Sequence, residues 1–107
     1  MAKYKVKEYQ HVFPYNEDDQ YEFPRPEHMT FETEVEWDNK FCPTQIAAKG
    51  MWVKYRDELM DFDEWLDQFV MFNYGYCDFT NRHWLSTDLC DGDNVKFIAI
   101  SIKEVNV

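Results

Sequence analysis

The feature that most constrains the fold is a run of nine residues, MTFETEVEW, in which apolar and polar side chains alternate. Side chains two residues apart lie on the same side of an extended strand, so the run predicts a half-buried strand over residues 29–37. Its inward side carries Met29, Phe31, Thr33, Val35 and Trp37, and its outward side carries Thr30, Glu32, Glu34 and Glu36. The composition agrees, because 20 aromatic residues against four Leu and four Ala favour strands over helices. We therefore expect a chain in which sheet outweighs helix.

Two further strands are predicted near the ends of the chain. In residues 3–7, KYKVK, apolar side chains alternate with lysines, and the alternation breaks at Glu8, where either a β-bulge lies or the strand ends. Residues 95–105 are apolar on both sides, which is typical of a central strand covered on one face by a helix. Just before this strand, the dipeptide formed by Asp91 and Gly92 predicts a hairpin turn.

Three segments have weaker patterns. Residues 44–56, TQIAAKGMWVKYR, are predicted to form a strand with a bulge at Gly50, although TQIAAK fits a helical turn equally well. Its inward side chains would be Ile46, Ala48, Met51, Val53 and Tyr55. Residues 13–28 hold three prolines and four aromatic residues, which predicts an ordered loop packed on the body of the protein. A short strand near 74–80, a turn at Asn81 and Arg82 and another short element are expected to follow.

One amphipathic helix is predicted over residues 61–73. At about 100° per residue its apolar side chains fall within about 120° of arc, and its acids fan across the opposite side. The apolar set is Phe62, Trp65, Leu66, Phe69 and Phe72. Asp61 followed by Glu64 fits a capping box at the start of the helix. The predicted fold is therefore a single α+β domain over residues 1–107, an antiparallel sheet of four to five strands with this helix packed on one face.

The charge of the chain restricts its partners. Twenty-one acids against 11 bases give a net charge of −10, so a nucleic-acid backbone or an anionic membrane surface would repel it. No stretch approaches the roughly 18 apolar residues of a membrane span, and the N-terminus lacks the apolar core of a signal peptide. Three cysteines do not make a disulfide framework. We expect a cytoplasmic protein whose partners are basic, neutral or cationic.

No set of residues has the spacing of a catalytic or metal site. Cys42, Cys77, His83 and Cys90 are permitted zinc ligands, but no CxxC pair pre-forms half of such a site. Cys77 and His83 could form a nucleophile and base only if the fold brought them together, and no family signature surrounds them. With only three glycines, the chain has no phosphate-cradling loop. We therefore predict no cofactor, no metal and no enzymatic activity.

The acids form rows with few cations between them. Residues 57–69, DELMDFDEWLDQF, carry six carboxylates and no Lys or Arg, whereas mixed ion pairs usually stabilise such a helix face. On the strand at 29–37, alternate glutamates stand about 6.6–6.8 Å apart, which is close to the spacing of phosphates along a nucleic-acid strand. The predicted partner-binding residues are Glu32, Glu34, Glu36, Asp57, Asp61, Asp63, Glu64 and Asp67, with Glu17, Asp18 and Asp19 as a second cluster.

In charge and aromatic content the chain resembles small phage-encoded inhibitors that imitate nucleic acid, a likeness of composition and not of motif. The resemblance implies non-catalytic binding of a partner protein with a basic surface, such as a nucleic-acid-binding protein. The alternative is a structural or assembly subunit that docks into a neighbour through the aromatic, proline-rich loop 13–28, with the acids serving solubility. Salt separates the two hypotheses, because it weakens binding between charges and leaves apolar docking intact.

Overall fold

The computed structural model describes residues 2–14, 25–55, 72–77 and 81–105. These residues form five β-strands, one α-helix and a short 3-10 helix, Pro26–His28. In chain order the strands and the α-helix are β1 (Ala2–Pro14), β2 (Met29–Trp37), α1 (Pro43–Tyr55), β3 (Asn73–Cys77), β4 (Arg82–Asp91) and β5 (Asn94–Glu104). All strands pair antiparallel in one sheet, in the order β2-β1-β5-β4-β3. The predicted α+β class, an antiparallel sheet with a helix, is confirmed.

Three strand predictions agree closely with the structure. β2 has the predicted bounds, and β5 is the central strand of the five, paired with β1 on one side and β4 on the other. β4 and β5 form the predicted hairpin, but Asp91 is the last residue of β4, paired to Asn94, so the turn lies one residue later than predicted. Gly92 and Asp93 make the turn between them, and Gly92 has φ +63°, a left-handed conformation that glycine adopts without a steric penalty.

β1 is longer than predicted. Its register with β2 shifts between Glu8 and Tyr9, which is the irregularity predicted near Glu8, and the strand does not end there. It continues through Phe13 and Pro14, both paired with β5, so the prediction that these two residues begin a loop is wrong. A proline lacks a backbone donor, and a strand tolerates that loss at its end. Residues 15–24 of the predicted loop lie outside the described residues.

Residues 44–55 of the predicted strand 44–56 belong to α1, so the strand is wrong and the helical alternative for TQIAAK is the correct one. The Ile46 amide donates a hydrogen bond to the Cys42 carbonyl at 3.0 Å, which closes the first helical turn. Pro43 occupies the first helical position, where its missing N–H has no partner to lose and its fixed φ suits the helix. Proline here is therefore a helix start and not the boundary before a strand.

The amphipathic helix predicted over residues 61–73 falls mainly on residues 61–71, which lie outside the described residues. At its predicted end Phe72 is a bend and Asn73 is the first residue of β3, so the helix does not reach residue 73. β3 corresponds to the short strand predicted near 74–80. β4, with ten residues, is longer than the short element expected after the turn.

α1 and the sheet share a hydrophobic core. Its fully buried side chains include Ile46, Ala47, Ala48 and Met51 from α1, and Val6, Leu85, Ile100 and Ile102 from the sheet. Gly50 brings α1 so close to β1 that a Cβ at this position would lie 3.0 Å from Cγ1 of Val6. On the other face of the sheet Tyr9, Phe13 and Val95 are buried as well. Neither helix in the part of the chain that the structure describes is long and apolar enough to cross a membrane.

Candidate functional site

The three carboxylates predicted on β2 lie beside three lysines of β1. The β1–β2 register places Lys3 opposite Glu36, Lys5 opposite Glu34 and Lys7 opposite Glu32. Two diagonal ion pairs form, from Lys5 Nζ to Glu32 Oε1 at 3.1 Å and from Lys3 Nζ to Glu34 Oε2 at 3.6 Å. Opposite charges on neighbouring strands attract one another. The glutamate row that matches phosphate spacing is therefore largely balanced by the protein's own lysines.

A further lysine adds positive charge at the same edge of the sheet. Lys49 of α1 donates a hydrogen bond from Nζ to the backbone carbonyl of Glu36 at 3.0 Å. The same ammonium group lies 5.7 Å from the centre of the Trp37 ring, within the range of a cation–π contact. Lys49 lies on the α1 side of the sheet and the β2 carboxylates project from the other side, so only the β1 lysines compete with a partner for them.

The other predicted binding residues lie outside the described residues: Asp57, Asp61, Asp63, Glu64, Asp67, Glu17, Asp18 and Asp19. Their place in the sequence still shows where the charge is concentrated. The described residues hold ten acids and ten bases, so they are neutral in sum. The other 11 acids and a single base, Arg56, account for the whole net charge of −10. Ten of these 11 acids belong to residues 15–24 and 56–71.

A cavity of about 290 Å³ opens on the α1 side of the sheet, at the end of β5. It is lined by Tyr4, Phe41, Asn81, His83 and Glu104. The antiparallel register places Tyr4 of β1 directly opposite Glu104 of β5, and His83 of β4 opposite the residue two positions earlier in β5. Phe41 reaches the cavity from the segment before α1, with its ring centre 5.6 Å from that of Tyr4. We call this cavity the Glu104 pocket.

His83 is the centre of an aromatic cluster at the Glu104 pocket. Its ring centre lies 4.6 Å from that of Phe41 and 4.7 Å from that of Tyr76, and the Tyr74 hydroxyl is 2.6 Å from its Nδ1. The Tyr76 hydroxyl donates to Oδ1 of Asn81. Phe41, Tyr74 and Tyr76 are 37, 52 and 47% exposed, so three large rings around His83 meet solvent. Exposed aromatic clusters of this kind are common at contact surfaces.

The Glu104 carboxylate is the charged group of the pocket. Burial lowers the pKa of His83 below its ordinary value of 6.5, so the imidazole is neutral at pH 7. Burial, and after it the nearby charge of Glu104, raises the pKa of Tyr4 above 10.0, so the phenol stays protonated. Among the described residues no cation pairs with Glu104. A carboxylate flanked by aromatic faces suits an ammonium or guanidinium group.

The Glu104 pocket has no signature in the sequence, because its residues come from three strands and two connecting segments and share no spacing. In the sequence His83 stands out only beside Cys42, Cys77 and Cys90 as a zinc-ligand candidate. Within the described ranges, no three His, Cys, Asp or Glu side chains come together as a metal-binding group.

No protein-family model, curated protein or solved structure matches this chain. Its function has to be inferred from its own residues.

Proposed function

We propose that the chain is a non-catalytic protein that binds a partner protein through its carboxylates, and that the partner is a nucleic-acid-binding protein with a basic surface. The observation that carries this proposal is the segregation of charge. Residues 15–24 and 56–71 together hold ten acids and one base, whereas the rest of the chain holds 11 acids and ten bases. Solubility alone needs no such segregation, whereas steering a basic partner requires one sign of charge to be concentrated.

The ion pairs of β2 make its glutamates weaker candidates for partner binding than the other predicted residues. Glu32 and Glu34 are already paired with lysines, so they have less attraction left for a partner. We therefore assign the main contact to Asp57, Asp61, Asp63, Glu64 and Asp67, with Glu17, Asp18 and Asp19 as a second cluster.

The Glu104 pocket supports the same proposal, because it is a suitable binding site for one basic side chain of the partner. Its carboxylate lies among Tyr4, Phe41 and neutral His83, so a lysine or arginine of the partner would gain an ion pair and contact with aromatic faces. Glu104 is exposed, so the ion pair alone would be weak, and contact with the aromatic faces would add to it. The pocket would thus hold an anchoring residue while the acidic segments supply long-range attraction.

Recovery of partners from a lysate of the source cell, at low and at high salt, tests the proposal. We expect a basic, nucleic-acid-binding protein at low salt only, because salt screens exposed charges. Replacing Asp61, Asp63 and Asp67 by Asn should abolish recovery. The matched control replaces Glu32, Glu34 and Glu36 by Gln; it removes the same number of charges and should leave recovery intact. A partner that survives high salt and both variants would contradict the proposal and favour the alternative, an assembly role for the proline-rich segment 13–28.

A second measurement isolates the pocket. With the purified partner, Glu104→Gln should raise the dissociation constant about two- to fivefold, the usual loss for one exposed ion pair. Asp88→Asn is the control, since Asp88 is an exposed acid on β4 that does not line the pocket. If the two variants bind equally well, the pocket has no part in recognition, and the acidic segments alone carry the proposal.

A further inference from the structure

The face of the sheet opposite α1 carries four cations around one buried hydroxyl. A shallow depression of about 30 Å³ on this face is lined by Lys5, Lys7, Arg82, Ser101 and Lys103. We call it the basic depression. Lys5 of β1 lies directly opposite Lys103 of β5, and the pairing of His83 with Ile102 places Arg82 of β4 beside Lys103 on its other side. Because neighbouring strands are about 4.8 Å apart, three positive charges stand in a row across three strands.

The β2 glutamates partly balance Lys5 and Lys7, which lie opposite Glu34 and Glu32, whereas Arg82 and Lys103 have no acid opposite them in the described sheet. Lys5 pairs with Glu32 at 3.1 Å, whereas no ion pair joins Lys7, Arg82 or Lys103 to a described acid. Like charges directly opposite one another destabilise a sheet. Arg82 and Lys103, with Lys5 beside them, therefore form a local concentration of positive charge among the described residues. A bound anion would remove that repulsion.

The groups around the basic depression suit a tetrahedral oxyanion. Ser101 is only 2% exposed, so it belongs to the floor of the depression. The Arg82 guanidinium offers a planar fork of donors, and the lysines offer compact point charges. The volume of about 30 Å³ has room for one or two water-sized groups. That size admits one or two oxygen atoms of a phosphate, and the rest of the ligand would lie outside the depression.

We propose that the basic depression binds a phosphate group, either free or at the end of a small phosphate ester, through Lys7, Arg82, Lys103 and Ser101. The site lies on the other face of the sheet from the Glu104 pocket and does not depend on the proposed function. The net charge of −10 does not forbid it, because at physiological salt exposed charges interact weakly beyond about 8 Å. A small dianion is therefore attracted by the nearby cations, whereas a long polyanion would also be repelled by the net negative charge of the chain.

Titration of the full-length chain tests the proposal. Inorganic phosphate and ribose 5-phosphate are added in turn at constant ionic strength, with chloride as the reference, while amide chemical shifts and the unfolding temperature are recorded. We expect saturable shifts at Ser101 and Lys103 and a higher unfolding temperature with phosphate. Tighter binding of the sugar phosphate than of inorganic phosphate identifies an ester as the ligand class, and equal or weaker binding identifies the free anion.

Two variants locate the anion. Lys103→Gln should weaken phosphate binding by about tenfold or more, because it removes one charged contact. In chloride alone the same variant should unfold at a higher temperature than the wild type, since it relieves repulsion from Lys5 and Arg82. Lys96→Gln is the matched control: Lys96 is on the same strand an odd number of residues away, so its side chain is on the opposite face. It should change neither quantity.

Three results would overturn the proposal. Phosphate could produce no more change than chloride of equal ionic strength. Both Lys103→Gln and Arg82→Gln could retain the wild-type affinity, which would place the anion elsewhere. A single-stranded oligonucleotide could bind where neither small phosphate does, which would make this face a polyanion surface and not a phosphate site.

Discussion

Replacing Gly50 by Ala tests whether α1 lies against β1 as the structure has it. In an isolated helix this change stabilises, because Ala is a better helix former than Gly by about 1 kcal/mol. Here the new Cβ would lie 3.0, 3.1 and 3.2 Å from Cγ1, Cβ and Cγ2 of Val6. Val6 is fully buried and its strand is paired on both sides, so it has little room to move. The steric effect and the helix preference therefore oppose each other.

The expected balance is a modest loss of stability. Forcing an extra methyl group into a well-packed site costs about 1–3 kcal/mol, and the helix preference returns about 1 kcal/mol. We therefore expect Gly50→Ala to reduce the free energy of unfolding by about 1 kcal/mol and to lower the unfolding temperature by about 4 °C. Val6→Ala alone should cost about 2 kcal/mol for two lost methyl groups and the space they leave. The double variant should lose clearly less than the sum, because the methyl group added at position 50 enters the space vacated by Val6.

Urea unfolding followed by tryptophan fluorescence measures the free energy of unfolding of the wild type, the two single variants and the double variant, since the chain contains four Trp. Gly75→Ala is the control, because nothing lies within 4 Å of a Cβ at this position on β3. It should leave stability unchanged or raise it by about 0.5–1 kcal/mol. If Gly50→Ala raises stability by a similar amount, and if its effect adds to that of Val6→Ala, the contact between α1 and β1 does not exist.

Two further perturbations test the hairpin and the Glu104 pocket. Gly92→Ala should reduce the free energy of unfolding by about 1–2 kcal/mol, because φ of +63° is unfavourable for a residue with a Cβ. Gly92→Asn should reduce it less. Equal thermal stability of both variants and the wild type would contradict the left-handed turn. Burial lowers the folded-state pKa of His83 below the unfolded value of 6.5, so protons favour the unfolded chain as pH falls below that value. This one group then reduces stability by up to about 1.4 kcal/mol per pH unit. His83→Gln should flatten the stability profile between pH 7 and 5, and parallel profiles for the two proteins would show that His83 is not desolvated.

The strands that could be predicted from the sequence are those with local patterns. In β2, apolar and polar side chains alternate residue by residue. β5 is apolar on both sides, which is typical of the central strand of a covered sheet. The β4–β5 hairpin was signalled by a glycine at the position that needs a positive φ. In each case a few adjacent residues hold all the information.

α1 could not be predicted in the same way, because its identity depends on contacts distant in sequence. Ile46, Ala47 and Ala48 are three consecutive buried residues, a run without the spacing of an amphipathic helix. Gly50 lowers helix preference and is explained only by its contact with Val6, 44 positions earlier in the chain. The signal that was present is Pro43, whose place at the start of the segment suits a first helical turn.

The charged surfaces were unpredictable for a related reason. The lysines of residues 3–7 and the glutamates of residues 32–36 each resemble an ordinary solvent-facing strand row, and only the pairing of β1 with β2 reveals that they balance one another. The Glu104 pocket joins residues up to 100 positions apart, from Tyr4 to Glu104. Strand order, which no local pattern specifies, decides both features.

The short turn at Gly92 and Asp93 has a consequence at the far end of the hairpin. Lys103 lines the basic depression and its neighbour Glu104 lines the aromatic pocket, so adjacent residues serve opposite faces. Which face each residue serves depends on whether an odd or an even number of residues separates it from the turn. Insertion or deletion of one residue within β5 could preserve most of the backbone pairing and yet exchange an acid for a base in both sites. We therefore expect related sequences to vary in length in pairs of residues along β5, and to accept single insertions only where a bulge absorbs them.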